Sequence, residues 1–251
     1  MRSSTDEVTV WAAPLDQASP AWIGYLDPVE RRRYDRFVRP ADRDRLLLGS
    51  CLVRALAAPR LGLDPGAVVL DRTCPECGEP HGKIRVVGDD LAVSVSHSGD
   101  WVLVAAGPGA AIGVDVEAVD PAVDPMSLAE LTLHSAEREI LTGLEPGRRP
   151  SAFARYWTRK EAVLKTTGDG LRSPPAEVRV SGPDEPAALL AWPARPELAG
   201  RLTLTDLNLA EGYAACVAVL APSAGGDDAP TVRLRPAASV LGSLDRGERP
   251  A

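Results

Sequence analysis

Lysine is almost missing from this chain. Of 28 basic residues among 251, only Lys83, Lys160 and Lys165 are lysines, against 25 arginines. Aromatic residues make up 4% of the chain, and there are three histidines and two methionines. No apolar run approaches the roughly 20 residues that a membrane helix needs, and the opening Met1 to Glu7 lacks the apolar stretch of a signal peptide. Both absences lead us to expect a cytoplasmic protein without membrane contact. An excess of positive charge is missing too: the net charge is −7, which argues against a nucleic-acid binder. There are four cysteines, Cys51, Cys74, Cys77 and Cys216, and in the cytosol they are expected to be reduced. Cys74-Pro75-Glu76-Cys77 is a single CxxC pair with His81 four residues on. A zinc site needs a fourth ligand, and none stands nearby in sequence, so this stretch reads as a plain loop that activity does not require.

What is present is an ordinary globular composition, 45% apolar and 25% charged. Its charge is unevenly spread. Arg31, Arg32, Arg33, Arg36, Arg39, Arg43 and Arg45 crowd one stretch. A basic patch on an acidic protein suits a small anionic ligand or an acidic partner surface.

Asp27-Pro28-Val29-Glu30 reads as a helix start, with an Asp cap, Pro at the first position and Glu at the third. A second helix is expected from Pro40 to about Ala58, with Leu47, Leu48, Cys51, Leu52, Ala55 and Leu56 at helical spacing. Pro59 and Gly62 end it. Strands are expected over 8–13, 68–71, 83–87, 92–96, 101–106 and 111–119, the later ones as a meander. In the second half the pattern predicts helices over 127–132, 135–144 and 151–167. Strands follow over 178–180, 189–192, 202–207 and 214–220. Residues 222–251, rich in Pro, Gly, Ala and charge, read as a flexible tail.

Two segments carry chemistry. On a strand Gly113-Val114-Asp115-Val116-Glu117, alternate residues share a face. Asp115 and Glu117 then project side by side while Val114 and Val116 face the core. Adjacent carboxylates repel unless a cation sits between them, and oxygen ligands of this kind suit Mg²⁺. The plain alternative is a solvated strand face. On a helix Trp157 to Lys165, Glu161 and Lys165 are four apart and share a face, which also fits a surface ion pair. Lys160 is offset by roughly 100° and is expected to matter less. His97, between Ser96 and Ser98 in a turn, can donate to phosphate. Gly82-Lys83 and the arginines around Arg33 are unspecific alone.

Taken together, in order and spacing, these stretches closely resemble the Sfp-type subgroup of the 4′-phosphopantetheinyl transferase superfamily over about residues 8 to 220. The resemblance implies an α+β fold of two similar α/β halves related by a pseudo-twofold, with coenzyme A in the cleft between them. The halves would span 1–110, with the nucleotide contacts, and 111–221, with the metal and catalytic motifs. It implies that Asp115, Glu117 and Glu161 hold Mg²⁺, and that Lys165 and His97 contact phosphate. Arg33, Arg45, Lys83 and Ser96 would anchor the nucleotide end, including its 3′-phosphate. The chain departs from the family pattern at Ile84, where Pro often follows the Gly-Lys pair. It departs again at His134, where a hydroxyl cap is usual and Ser135 is the substitute expected here.

The implied reaction moves the phosphopantetheine arm of coenzyme A onto a serine of an apo acyl or peptidyl carrier protein, releasing 3′,5′-ADP. Glu161 would take the serine proton and Lys165 would steady the leaving group. A role in secondary metabolite biosynthesis and a monomeric state go with that resemblance. Three other classes compete: an Mg²⁺-dependent nucleotide phosphohydrolase, an inactive module that only captures carrier proteins, and a zinc-binding interaction protein built on the Cys74 loop.

Overall fold

The computed structural model of the chain describes residues 7–109, 111–220 and 230–246. The fold is α+β and divides into two units, residues 1–109 with 233–251, and residues 110–232.

The first unit opens with strand β1 (Glu7–Pro14). Helix α1 (Pro28–Arg36) starts as its sequence dictates: Asp27 Oδ1 accepts from the N–H groups of Val29 and Glu30, and Glu30 returns a bond to the Asp27 N–H. Helix α2 (Pro40–Leu61) runs three residues past the expected end, with Pro59 inside its last turn and Gly62 in the left-handed region as its C-cap. The short strands β2 (Leu70–Asp71) and β3 (Arg85–Val86) flank the cysteine loop. Strands β4 (Leu91–Ser98) and β5 (Trp101–Pro108) form a tight hairpin, pairing Ser98 with Trp101 and His97 with Val102. Leu47, Leu48, Cys51 and Leu52 of α2 are buried against Val93, Val102 and Val104 of this sheet.

The expected meander stops at β5. Strand β6 (Ala111–Ala118) leaves for the second unit and pairs antiparallel with β10 (Tyr213–Leu220), which in turn pairs with β9 (Leu202–Asp206). Helices α3 (Met126–Thr132), α4 (Ser135–Gly143) and α5 (Arg149–Thr167) lie in this unit, with the two-stranded β7 (Arg179–Val180) and β8 (Leu189–Ala191). Helix α5 packs on β6 and β10, burying Ala162, Val163 and Leu164 with Cys216 and Ala218.

The C-terminal stretch corrects the sequence expectation. Residues 221–229 and 247–251 lie outside the described residues, but between them the chain forms β11 (Thr231–Pro236) and α6 (Ala238–Arg246). Strand β11 lies beside β1, giving the sheet order β11-β1-β5-β4-β3-β2. Leu241 and Leu244 of α6 are buried in the first core, and the Trp22 Nε1–H donates to Asp245 Oδ1 at 2.8 Å. Composition averaged over the whole tail hid this short amphipathic turn pattern. Among the described residues, no helix is long and apolar enough to cross a membrane.

Candidate active site

Gly113 sets the geometry of the second unit's site. A Cβ built there would stand 2.0 Å from the Ala162 carbonyl oxygen and 2.5 Å from the Thr166 nitrogen. Only glycine lets α5 lie this close to β6. The Thr166 hydroxyl lies within donating reach of Ala162 O in its own helix at 2.7 Å and of Ala218 O on β10 at 3.1 Å, which ties α5 to the neighbouring strand. Because residues two apart share a strand face, Asp115 and Glu117 lie on the same face as Gly113, the one covered by α5. The sequence reading placed core packing on the Val114 side alone. Both valines are indeed fully buried, yet Asp115 is buried as well, at 3% exposure.

Helix α5 brings its own pair to that face. The Lys165 ammonium lies 2.6 Å from Asp115 Oδ1 and donates to the Val114 carbonyl at 3.2 Å. Glu161 stands one turn earlier. Its carboxyl is held above the usual range by burial first and then by the charge of Asp115, against the opposing pull of Lys165 and with a further push from Glu117. Glu161 Oε1 is buried and has no hydrogen-bond partner among the described residues. A cavity of about 330 Å³ opens beside Glu117, its wall largely apolar, with Val123, Leu128, Phe153 and Trp157.

The first unit positions the other expected residues. Ser96 is buried on β4 and His97 is exposed beside it. Arg45 braces the turn that follows, donating through Nε and Nη2 to the Gly99 carbonyl at 3.0 and 2.7 Å and through Nη1 to Asp42 at 2.7 Å. Its guanidinium therefore fixes the His97 hairpin. Arg33 is exposed, with its guanidinium 5.8 Å from the Phe37 ring centre. Lys83 is half-buried, and burial lowers its ammonium to about 8.

Residues 111–218 match the 4′-phosphopantetheinyl transferase superfamily, and residues 10–109 match the family described as 4′-phosphopantetheinyl transferase, N-terminal. The 4′-phosphopantetheinyl transferase HetI of Nostoc sp. is 35% identical over 194 residues, covering 76% of this chain and 81% of the relative. A phosphopantetheinyl transferase of Thraustochytrium sp. is 33% identical, covering 65% of this chain and 62% of that protein. The 4′-phosphopantetheinyl transferase of Bacillus subtilis is 31% identical, covering 58% and 61%. The chain belongs to the 4′-phosphopantetheinyl transferase superfamily.

Within residues 111–218, which match that superfamily, fall Gly113 to Glu117 and Trp157 to Lys165, the two segments on which the resemblance chiefly rests. The helix cap does not shift to Ser135. His134 itself caps α4: its Nδ1 accepts from the Ala136 N–H at 3.2 Å, and its own N–H donates to Glu137 Oε2 at 2.8 Å.

Sequence reasoning missed three residues that hold the site's frame. Lys160 is fully buried, 2.6 Å from Glu137, and donates to the Pro175 and Val178 carbonyls. Arg159 is fully buried, bidentate to Asp206 and bonded to the Ser181, Gly182 and Glu185 carbonyls. Gly113 has the third role, described above. The shortage of lysine in the chain was the one signal that marked Lys160.

The donor set at the carboxylate face fits a hard divalent cation. It is oxygen-only, as Mg²⁺ prefers, and it includes the unbonded Glu161 Oε1. The Lys165 ammonium meets part of that demand for positive charge on Asp115.

Proposed function

We propose that this chain transfers the 4′-phosphopantetheine group of coenzyme A to a serine of an apo acyl or peptidyl carrier protein and releases 3′,5′-ADP. The observation that carries this reading is the face shared by Asp115, Glu117, Glu161 and Lys165. Three carboxylates are drawn together there, one with its ionisation held back, beside a lysine.

Asp115, Glu117 and Glu161 are the residues that would hold Mg²⁺, which supplies charge neutralisation to a pyrophosphate worth several kcal/mol. The remaining steps belong to the chain itself. The serine oxygen forms a bond to the phosphorus that bears the pantetheine arm, and the bond from that phosphorus to the bridging oxygen breaks. Glu161 accepts the serine proton, a contribution of roughly 10²–10⁴-fold. Its raised affinity for a proton suits that task. Lys165 stabilises the charge that develops on the departing 3′,5′-ADP. In the first unit, His97, Lys83, Ser96 and Arg33 are assigned to the phosphates and the nucleotide end, and Arg45 holds the hairpin that carries His97.

The test uses purified protein, coenzyme A, Mg²⁺ and a panel of apo carrier proteins read by intact mass. One carrier should gain a single phosphopantetheine, with dependence on Mg²⁺ and on the carrier serine. Cleavage of coenzyme A while every carrier stays apo would move the reading to a nucleotide phosphohydrolase. Carrier binding with no turnover would move it to a capture module.

A further inference from the structure

The cysteine loop does not look like a plain loop once folded. Residues 72–82 close on themselves through backbone bonds: Gly82 N–H to Arg72 O at 2.7 Å, and Cys74 N–H to Glu79 O at 2.8 Å. A tight turn joins Gly78 N–H to Cys74 O at 3.0 Å, and Gly78 supplies the φ of 75° that a side chain would resist. Pro75 and Pro80 restrict the backbone on either side.

This folding brings three donor atoms together. One sulfur or nitrogen from each of Cys74, Cys77 and His81 lies within 4.8 Å of the other two, and Cys77 Sγ stands 3.0 Å from His81 Nε2. Around tetrahedral zinc, bond lengths of about 2.3 Å to sulfur and 2.0 Å to nitrogen put such donors roughly 3.5–3.8 Å apart. Small side-chain rotations reach that spacing with the backbone already in place. The missing fourth ligand, which made the stretch read as a loop, is not needed in sequence. Cys74 is buried while Cys77 and His81 are exposed, so the remaining position faces solvent and water completes the tetrahedron.

We propose that Cys74, Cys77 and His81 bind one zinc ion that clips this loop. Two thiolates and an imidazole select zinc over magnesium, which takes oxygen ligands. The ion holds the loop closed and takes no part in the transfer chemistry. It locks the short loop whose closing residue, Gly82, directly precedes Lys83. The other end is already anchored, because Arg72 donates to the buried Glu30 carboxylate at 2.6 Å. The metal-free protein should stay folded, since the first core does not depend on the loop.

The experiment is elemental analysis of the full-length protein, purified in reductant without chelator and dialysed against trace zinc. Wild type should retain about one zinc per chain, and Cys77→Ser and His81→Ala should each lose most of it. Both residues are exposed, so circular dichroism should show both variants folded. Cobalt(II) loaded in place of zinc should give thiolate charge-transfer absorption in wild type and not in Cys77→Ser. The Cys77 thiol should resist alkylation until a chelator is added. The proposal fails if reduced wild type binds no zinc, or if Cys77→Ser binds as much. It fails equally if Cys77 resists alkylation after chelation because it is joined to Cys74 in a disulfide.

Discussion

Helix α5 holds two ionic arrangements that begin at adjacent residues, Lys160 and Glu161, and they are built in opposite ways. At Arg159 and Lys160 both cations are fully buried and answered. Arg159 meets Asp206 and three carbonyls, and Lys160 meets Glu137 and two carbonyls. At Glu161 and Lys165 the charges are half-buried, Glu161 Oε1 has no hydrogen-bond partner among the described residues, and the acids Asp115 and Glu117 press on Glu161. A buried charge without full pairing is costly. Native structures tolerate that mostly where a ligand or a reaction uses it. On the proposed function, the closed arrangements hold α5 and the open one is where the ligand binds.

The largest effect should come from the open pair. Glu161→Gln should lose roughly 10²–10⁴-fold in carrier loading, with a melting temperature equal to wild type or higher. Asp115→Asn should lose turnover on a similar scale. A Glu161→Gln enzyme at wild-type rate would erase the distinction. So would a Glu161→Gln chain that no longer folds, since the open arrangement would then be structural.

Lys160→Ala sharpens the comparison from the other side. Helix phase alone makes this variant a mild control beside Lys165→Ala. The structure makes it a folding defect, because Glu137 would be left buried without its cation, at a cost of about 3–5 kcal/mol. Denaturant unfolding should show that loss, while the rate per folded molecule stays near wild type. The double change Lys160→Met with Glu137→Gln should recover part of the stability, because the amide removes the buried charge and keeps an acceptor for the His134 or Val180 N–H. A normal midpoint for Lys160→Ala would show that the closed pair does not hold the helix.

Gly113→Ala should act on both arrangements at once. The added methyl meets the Ala162 carbonyl, so α5 must move off β6. Overpacking of this kind costs about 1–3 kcal/mol. Because Glu161 and Lys165 ride on α5 while Asp115 rides on β6, turnover should fall more than stability does. Equal falls would mean that the strand-to-helix spacing does not tune the site.

Much of this was legible in the sequence. The period of two on β6 and of four on α5 gave the same-face pairs, and Asp27-Pro28-x-Glu30 marked the start of α1. What was not legible depends on contacts distant in sequence. The Asp115 side of β6 is the helix side because Gly113 admits α5, and nothing local to the strand says so. Lys160 and Glu137 are 23 positions apart, and only the folded chain joins them. The tail helix α6 was hidden because its apolar positions follow a Pro- and Gly-rich stretch. How Cys74, Cys77 and His81 come together was not legible, because counting ligands along the chain ignores how a loop closes. His134 shows a local surprise: an imidazole nitrogen takes the capping role that hydroxyl and carboxylate oxygens usually fill.

The smallest effect tests whether a buried network in the first unit behaves like the closed pairs of α5. Glu30 is buried, 2.7 Å from Arg54 and 2.6 Å from Arg72. Burial alone would raise its carboxyl, but the charges of Arg54 and then Arg72, with hydrogen bonds from Arg54 and Ser50, hold it below the usual 4.5. A carboxyl whose folded value is depressed contributes stability that is complete above the unfolded value and disappears as pH falls through the folded one. Wild type should therefore lose stability as pH drops below about 4.5, with Glu30 adding at most about 1.4 kcal/mol per pH unit to the slope. Glu30→Gln removes that contribution. Asp27 remains 3.5 Å from Arg54 as a substitute partner, so the variant should fold, with a lower midpoint at neutral pH and a shallower acid limb. Urea midpoints for the two proteins from pH 7 down to pH 3 give the comparison directly. Parallel acid limbs would mean that Glu30 keeps an ordinary affinity for its proton, and that this network, unlike the α5 pairs, does little to hold the fold.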